Sequence, residues 1–361
     1  MGEFRRWNIP PRDRAEIEAG TLKKIIKSAL KRLKRWLVVG DAHTTMLQNR
    51  QLLGRMASWQ VRSQRVISSL QEVEFQVSSQ CGEDGIIDWL IERLGIPPEL
   101  RSFVELGVEN YREANTRFLL QNRNWRGLIM DSSSAMVVAA REDALSGAHD
   151  LTVLPAFITR ENINDLIANA GFGGDIGLLS IDLDGNDYWV WEAVHAVNPV
   201  LCIVEYNAVF GDVHPISTPY DRNFNRIKAH HSYLYFGASI AALRSLATKK
   251  GYRFVGTNSS GNDAFFVRED YAKSFVDSSL QQIQALPSFF RESRDRFGRR
   301  NYIGGIERLN HIAEMPVVDI ETSKTLRLGD LEPIYSNDWL KSMTGKAANY
   351  GVSANSNCNV A

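Results

Sequence analysis

Along the middle of the chain, short apolar runs alternate with segments whose apolar positions recur three and four residues apart. The runs are "SFVELGV" (102–108), "RGLIMD" (126–131), "LTVLPAFI" (151–158), "IGLLSIDLD" (176–184) and "VLCIVEYN" (200–207). The segments 85–95, 114–124, 161–170 and 188–197 carry the helical period between or around them. Polar residues are scarce inside the runs, so these strands are predicted to be covered on both faces, as in a parallel sheet wrapped by helices. Trp189 and Trp191 fall on the last of these helices as packing residues.

The pattern changes after residue 238. Residues 238–251 read as a helix closed by Gly251, and "YRFVGTNSSGNDAFFVR" (252–268) reads as two strands around an Asn-, Ser- and Gly-rich turn. That connection is too short for a parallel crossover, so the two strands must be antiparallel neighbours. The predicted fold is therefore α/β: a doubly wound, mostly parallel seven-stranded sheet finished by one antiparallel hairpin. This resembles the architecture of class I S-adenosylmethionine methyltransferases, which is Rossmann-like.

Outside the body the pattern is helical. "LKKIIKSALKRLKRW" (22–36) places Leu22, Ile25, Ile26, Ala29, Leu30, Leu33 and Trp36 on one face. Lys23, Lys24, Lys27, Lys31, Lys34 and Arg35 occupy the other. Such a helix can lie in an anionic membrane interface, or pack its stripe against the body or a second subunit. Residues 44–72 read as a second long helix, with Met46, Leu47, Leu52, Leu53, Met56, Trp59 and Val66 as candidate packing residues. The predicted organisation is a basic helical extension over 1–75, the methyltransferase-like domain over 76–270 and a C-terminal helical extension over 271–344. Residues 345–361 form a small, polar tail predicted to be disordered. "LPSFFRESRDRFGRR" (286–300) carries no assignable pattern.

Composition adds an asymmetry. The 361 residues hold 42 Lys+Arg and 42 Asp+Glu, which gives no global charge for nucleic acid. Residues 1–65 hold fifteen basic and five acidic residues, leaving 42−15 = 27 basic and 42−5 = 37 acidic residues for the rest. A basic arm thus precedes an acidic body. Cys81, Cys202 and Cys358 lack paired spacing, which excludes a zinc module and suits a reducing compartment. No signal-peptide pattern or membrane-spanning apolar stretch is visible, so a cytoplasmic protein is expected. Peripheral membrane contact through residues 22–37 and homo-oligomerisation through the N-terminal helices are the options the arm leaves open.

In an open α/β sheet, ligands bind beyond the carboxyl ends of the strands. Gly107 permits the first turn there, where a side chain would hit the ligand. Glu105 is expected near the amino-acid part of a cofactor, and Asp131, ending the second strand, near ribose hydroxyls. The segments "SQCGEDGIIDWLIERLG", "FVELGVENYREANTRFLLQNRNWRGLIMD", "LLSIDLDGNDYWVWEA" and "CIVEYN" resemble, in this order, the FkbM-type methyltransferases over roughly residues 76–268. The resemblance implies methyl transfer from S-adenosylmethionine to a hydroxyl of a saccharide or natural product. It also carries Gln80, Glu83, Asn115 and Asp182 into the cofactor set. The first loop departs from the pattern: "GVENY" puts Glu109, Asn110 and Tyr111 after Gly107, where further glycines are usual, with Asn110 able to take a left-handed turn.

Asp182 and Asp184 stand two apart and would converge if the strand runs that far; Glu205 and Asn207 do the same on the next strand. Asp182, Glu205 and Asn207 offer the oxygen ligands that Mg²⁺ prefers, and a cation there would lower the pKa of an accepting hydroxyl. A metal-free reading makes Asp182 or Asp184 the general base. A third reading has 184–187 as a capping turn, which fits Asp187 best. Residues 209–237 form a connection too long to be passive, and His214 or His231 in it is a further candidate base. The rivals are a glycosyltransferase holding a metal through "DLD", and a non-catalytic methyltransferase fold kept for assembly.

Overall fold

The computed structural model describes residues 45–142 and 147–349. The basic helix predicted at 22–36, Cys358 and most of the tail lie outside the described residues. The chain divides into two compact units, Met1–Gly54 and Arg55–Ala361. The sheet, the cores and the cavity described below all belong to the second.

Ten strands occur among the described residues: β1 (Ser102–Leu106), β2 (Arg126–Asp131), β3 (Leu151–Pro155), β4 (Gly174–Ile181), β5 (Val197–Glu205), β6 (Ile216–Ser217), β7 (Tyr252–Thr257), β8 (Asp263–Arg268), β9 (Pro316–Asp319) and β10 (Lys324–Arg327). Seven of them form one sheet in the order β3-β2-β1-β4-β5-β8-β7. The first five are parallel, and the predicted hairpin β7–β8 closes the sheet with β8 antiparallel to β5. The register brings the carboxyl ends level. Leu106 lies opposite Met130 and Ile181, and Ile181 lies opposite Val204.

Alternation along the strands sends side chains to two separate cores. Val104, Leu106, Leu128, Met130, Leu179, Ile181, Cys202 and Val204 pack on one face with Trp191 and Phe266. Phe103, Ile129, Leu178, Leu201 and Ile203 pack on the other with Trp89 and Phe265. Both faces are apolar and both are covered, which is why the strands read as nearly continuous apolar runs. Helix Ile240–Lys250 begins with Ser239 Oγ accepting from the Ala242 N–H at 3.1 Å and ends at Gly251 with φ +79°, as its sequence predicts.

Several boundaries differ from expectation. The predicted helix 44–72 stops at residue 63. Beyond it the Gln64 carbonyl accepts from Trp89 Nε1 at 2.8 Å, and the Ile67 N–H donates to the Ser279 carbonyl at 3.0 Å. Tertiary partners therefore take the backbone groups that another helical turn would need. Met46, Leu47, Leu52, Leu53, Met56, Trp59 and Val66, expected to pack, are all exposed; Val61, Ile67 and Leu70 are the large apolar residues of this stretch that are buried. The helix predicted over 188–197 ends at Ala193, because Val197 already pairs with Gly174 in β5.

The C-terminal region is less helical than expected. It holds helices Glu269–Ser279, Glu307–Ile312 and Asn337–Asn349, but also the hairpin β9–β10, which joins β6 in a second, three-stranded sheet. Asp319 Oδ1 accepts from the N–H groups of Glu321 and Thr322 at 2.9 Å, and Ser323 has φ +58°. This Asx-type turn is the hairpin signal in "DIETS". The last helix runs through residues 345–349, the start of the tail predicted to be disordered. No helix among the described residues is long and apolar enough to cross a membrane.

Candidate active site

A cavity of about 480 Å³ opens at the carboxyl ends of β1, β2, β4 and β5. Its first wall begins at Gly107, with φ +78°, where a Cβ would stand 1.6 Å from the Asp182 carbonyl oxygen. The glycine is therefore required by the approach of two backbones, not by a ligand. The loop after it does not use Asn110 as its left-handed residue. Glu109 (φ 46°) and Tyr111 (φ 59°) take those conformations, while Asn110 Oδ1 accepts from the Arg112 N–H at 3.0 Å.

Glu105 lines the cavity but is only 4% exposed. Its oxygens accept from the backbone N–H of Asn115 at 2.8 Å, from the backbone N–H of Thr116 at 3.1 Å, and from the Thr116 hydroxyl. Burial raises its carboxyl to about 7 against the opposing pull of these donors. Asp131, ending β2, accepts from the N–H of Glu109 at 2.9 Å and of Ser133 at 2.7 Å. A carboxylate offers about four lone pairs, so acceptor capacity remains toward the cavity. Gln80 and Asn115 also line it.

Strand β4 ends at Ile181, so Asp182 and Asp184 are not paired by strand alternation; Asp184 sits in a left-handed conformation with φ 53°. Asp187 holds this turn, accepting from the N–H of Leu183 at 2.6 Å and of Gly185 at 3.0 Å. Its capping role, expected from sequence, is thus directed at the loop before the helix. Oxygens of Asp182, Asp184 and Glu205 nevertheless lie within 4.8 Å of one another. Asp182 and Glu205 are both raised well above the ordinary carboxylate range, by burial first and then by neighbouring carboxylates, with Arg226 acting the other way. Asp182 and Asp184 are exposed toward the cavity, whereas Glu205 is buried. One oxygen of Glu205 is buried with no hydrogen-bond partner. Asp263, opposite Glu205 on β8, adds another buried carboxyl raised by burial and by neighbouring acids.

Four expected site residues have other roles. Asn207, a candidate ligand, accepts from the Val209 N–H at 3.0 Å and donates to the Leu234 and Phe236 carbonyls at 2.9 Å. Its amide ties down the loop after β5; Asp184 takes its place in the oxygen group. Glu83 does not line the cavity. It accepts from the N–H groups of Cys81 at 2.9 Å and Gly82 at 3.0 Å, and from Asn258. His214 lies beside the second sheet, where its carbonyl accepts from Ser239 Oγ at 2.7 Å, and His231 is exposed against His230. No histidine among the described residues lines the cavity.

A second wall comes only in part from a segment that the sequence singles out. It comes from the long connection after β5, from the irregular chain before helix Glu307–Ile312 and from that helix itself, and brings in Arg226, Tyr233, Phe290, Glu292, Arg294 and Arg308. Arg226 donates to Asp184 Oδ1 at 2.6 Å and to the Tyr233 carbonyl at 2.8 Å, with its guanidinium 3.8 Å from the Phe236 ring centre. Only the aromatic and polar content of 209–237 signalled this wall; nothing local marks Arg294 or Arg308.

No family model matches the chain, and no curated protein matches it. Among solved structures it is similar to an S-adenosylmethionine-dependent methyltransferase from Clostridium acetobutylicum, with 10% identity, 52% of this chain and 90% of that one covered, and a TM-score of 0.34. It is also similar to an O-methyltransferase from Bacillus cereus solved with SAH, with 14% identity, coverage of 59% and 88%, and a TM-score of 0.32. Likenesses this distant carry no statement about activity.

Proposed function

We propose that this chain is an S-adenosylmethionine-dependent O-methyltransferase of the FkbM type, acting on a hydroxyl of a saccharide or similar polyhydroxylated acceptor. The observation that carries the reading is Asp131 at the end of β2, facing the cavity beside the Gly107 turn in a sheet closed by the β7–β8 hairpin. In this reading Asp131 accepts the ribose hydroxyls, and Glu105 with Asp263 provides negative charge for the ammonium and sulfonium groups. A cavity wall this rich in raised carboxyls favours a cation, and the cofactor supplies one. Polar and aromatic lining, including Asn225, Tyr233 and Phe290, suits a sugar-like acceptor.

In the reaction, the acceptor oxygen bonds to the methyl carbon as the carbon–sulfur bond breaks. The sulfur keeps that electron pair and leaves as a neutral thioether, and the hydroxyl proton passes to the Asp182–Glu205 pair. The same pair with Asp184 fits a divalent cation in donor chemistry: three carboxylates with oxygens close together, and on Glu205 one oxygen buried without a partner. Bound there, a cation would lower the acceptor's pKa. The glycosyltransferase reading is less well supported, because the sheet closes with the antiparallel β7–β8 hairpin of the methyltransferase order.

The test is calorimetric binding of S-adenosylhomocysteine, with Mg²⁺ and with EDTA. Stoichiometric binding that Asp131→Ala weakens supports the reading. Absence of binding in both buffers overturns it, while binding unaltered by EDTA removes any need for a metal in cofactor binding.

A further inference from the structure

The arginine wall carries an inference that rests on the proposed reading and narrows the acceptor class. Arg308 is 9% exposed and lines the cavity, and its Nε is buried without a hydrogen-bond partner. No carboxylate pairs with it among the described residues. Burial pushes its guanidinium down to about 10; Tyr335 opposes this and the positive charge of Arg226 adds to it.

Its neighbours cannot supply the missing anion. Arg226 occupies Asp184 at 2.6 Å, and Arg294 occupies Glu292 at 3.2 Å while lying 4.5 Å from the Tyr233 ring centre. Arg294 Nε is also buried and unpartnered. Two guanidinium groups thus line one cavity with unfilled donors. A buried cation without a counter-ion is among the more unfavourable arrangements in a folded protein. A neutral hydroxyl would not compensate it, whereas a carboxylate or phosphoryl group matches the planar, multi-donor guanidinium.

We infer that the acceptor is anionic, and that its carboxylate or phosphoryl group is held by Arg308 with Arg294 in the arginine wall. The cavity is then polarised: acids face the cationic cofactor, and arginines face the charged group of the acceptor. Arg226 stands between the two, already neutralised by Asp184, and sets where one sign gives way to the other.

The experiment measures thermal midpoint and calorimetric binding of the full chain with inorganic phosphate or acetate, against chloride at equal ionic strength. Wild type, Arg308→Met and Arg294→Gln are compared, and S-adenosylhomocysteine affinity is measured on every sample. The expected result is saturable stabilisation of wild type by one of the two anions, which identifies the group. At least tenfold weaker anion binding is expected in R308M, with cofactor affinity unchanged. Without anion, R308M should melt at or above wild type, since it loses an uncompensated charge. Should R308M not fold, R294Q must show the weakened anion response. Equal anion response in all three proteins overturns the inference, as does the lack of any response in a protein that binds S-adenosylhomocysteine. Loss of cofactor affinity in R308M with anion response intact assigns the arginine to the cofactor's own carboxylate and also overturns it. An anion response that needs Arg308 in a protein that does not bind S-adenosylhomocysteine keeps the anion site and removes the methyltransferase reading.

Discussion

The two walls of the cavity are made by different means. The acidic wall stands on strand ends: Glu105 on β1, Asp131 on β2, and Asp182 one residue past β4, fixed by a ladder in which Leu106, Met130 and Ile181 lie level. The basic wall stands on short helices and irregular chain, with Arg226 in the four-residue helix Arg226–Ala229, Arg294 in the irregular chain between helices Glu269–Ser279 and Glu307–Ile312, and Arg308 in the latter. The first is held by backbone pairing, and changing one residue there disturbs neighbours on two strands. The second is held by local turns and isolated backbone contacts, such as the Arg294 N–H donating to the Ser232 carbonyl at 3.3 Å, together with side-chain pairs. A rigid wall suits a ligand that never changes, and an adjustable wall suits one that does.

Four experiments can break or sharpen this contrast. The largest effect is expected for Gly107→Val, where backbone strain and overlap with the Asp182 carbonyl together should cost about 3–5 kcal/mol. Urea unfolding should show that loss with cofactor binding abolished; a stable variant would mean the strand ends are not locked. Next comes Asp131→Ala, expected to weaken S-adenosylhomocysteine by about 10- to 100-fold, the worth of hydrogen bonds to a charged group. Calorimetry reporting an unchanged affinity would remove Asp131 from the site.

The third is a pH profile. Glu105 is raised from 4.5 to about 7, so the folded chain holds this proton more tightly than the unfolded chain does. Its stabilising contribution is present below about pH 4.5 and is lost as pH rises through about 7. Cofactor affinity should move the opposite way, rising by up to about tenfold per unit below the folded value and then levelling. Glu105→Gln should remove the Glu105 step from both curves and leave the slope that Asp182, Glu205 and Asp263 contribute, whereas curves identical to wild type would place the titration elsewhere. The smallest effect is expected for His214→Ala and His231→Ala, each within about twofold of wild type in cofactor affinity, since neither reaches the cavity. A larger loss in either would mean that the loop closes over the site.

The same contrast explains what could be read from the sequence. Asp131 was legible because it ends an apolar run, and the hairpin because "TNSSGND" is too short to cross the sheet. Asn207 misled because period-two alternation was carried beyond Glu205, where β5 stops. Asp184 joined Asp182 by way of a left-handed turn that no alternation rule describes. Arg308 sits in "IERLN", indistinguishable from an ordinary surface helix, and is buried only because helix Glu307–Ile312 folds back against the chain after β5. Strand-end chemistry is written in a few adjacent residues, whereas contact between segments as far apart as 208–210 and 307–312 is not.

The tip of the β7–β8 hairpin has a consequence for how such a molecule diversifies. Asn258 Oδ1 accepts from the N–H groups of Gly261 at 3.1 Å and of Asn262 and Asp263 at 3.2 Å, and its amide donates to Glu83. On its other side, Ser260 accepts from the Phe289 N–H at 3.2 Å, Thr257 Oγ1 accepts from the Leu286 N–H at 3.1 Å, and Tyr206 donates to the Leu286 carbonyl. The tip is thus a mounting bracket, fixed to the sheet behind and gripping the incoming chain at 286–289. Whatever follows that grip can be lengthened, shortened or replaced without loosening the bracket. Grafting a different 290–303 segment onto this frame should change that part of the cavity lining while leaving the strand-end carboxylates in place.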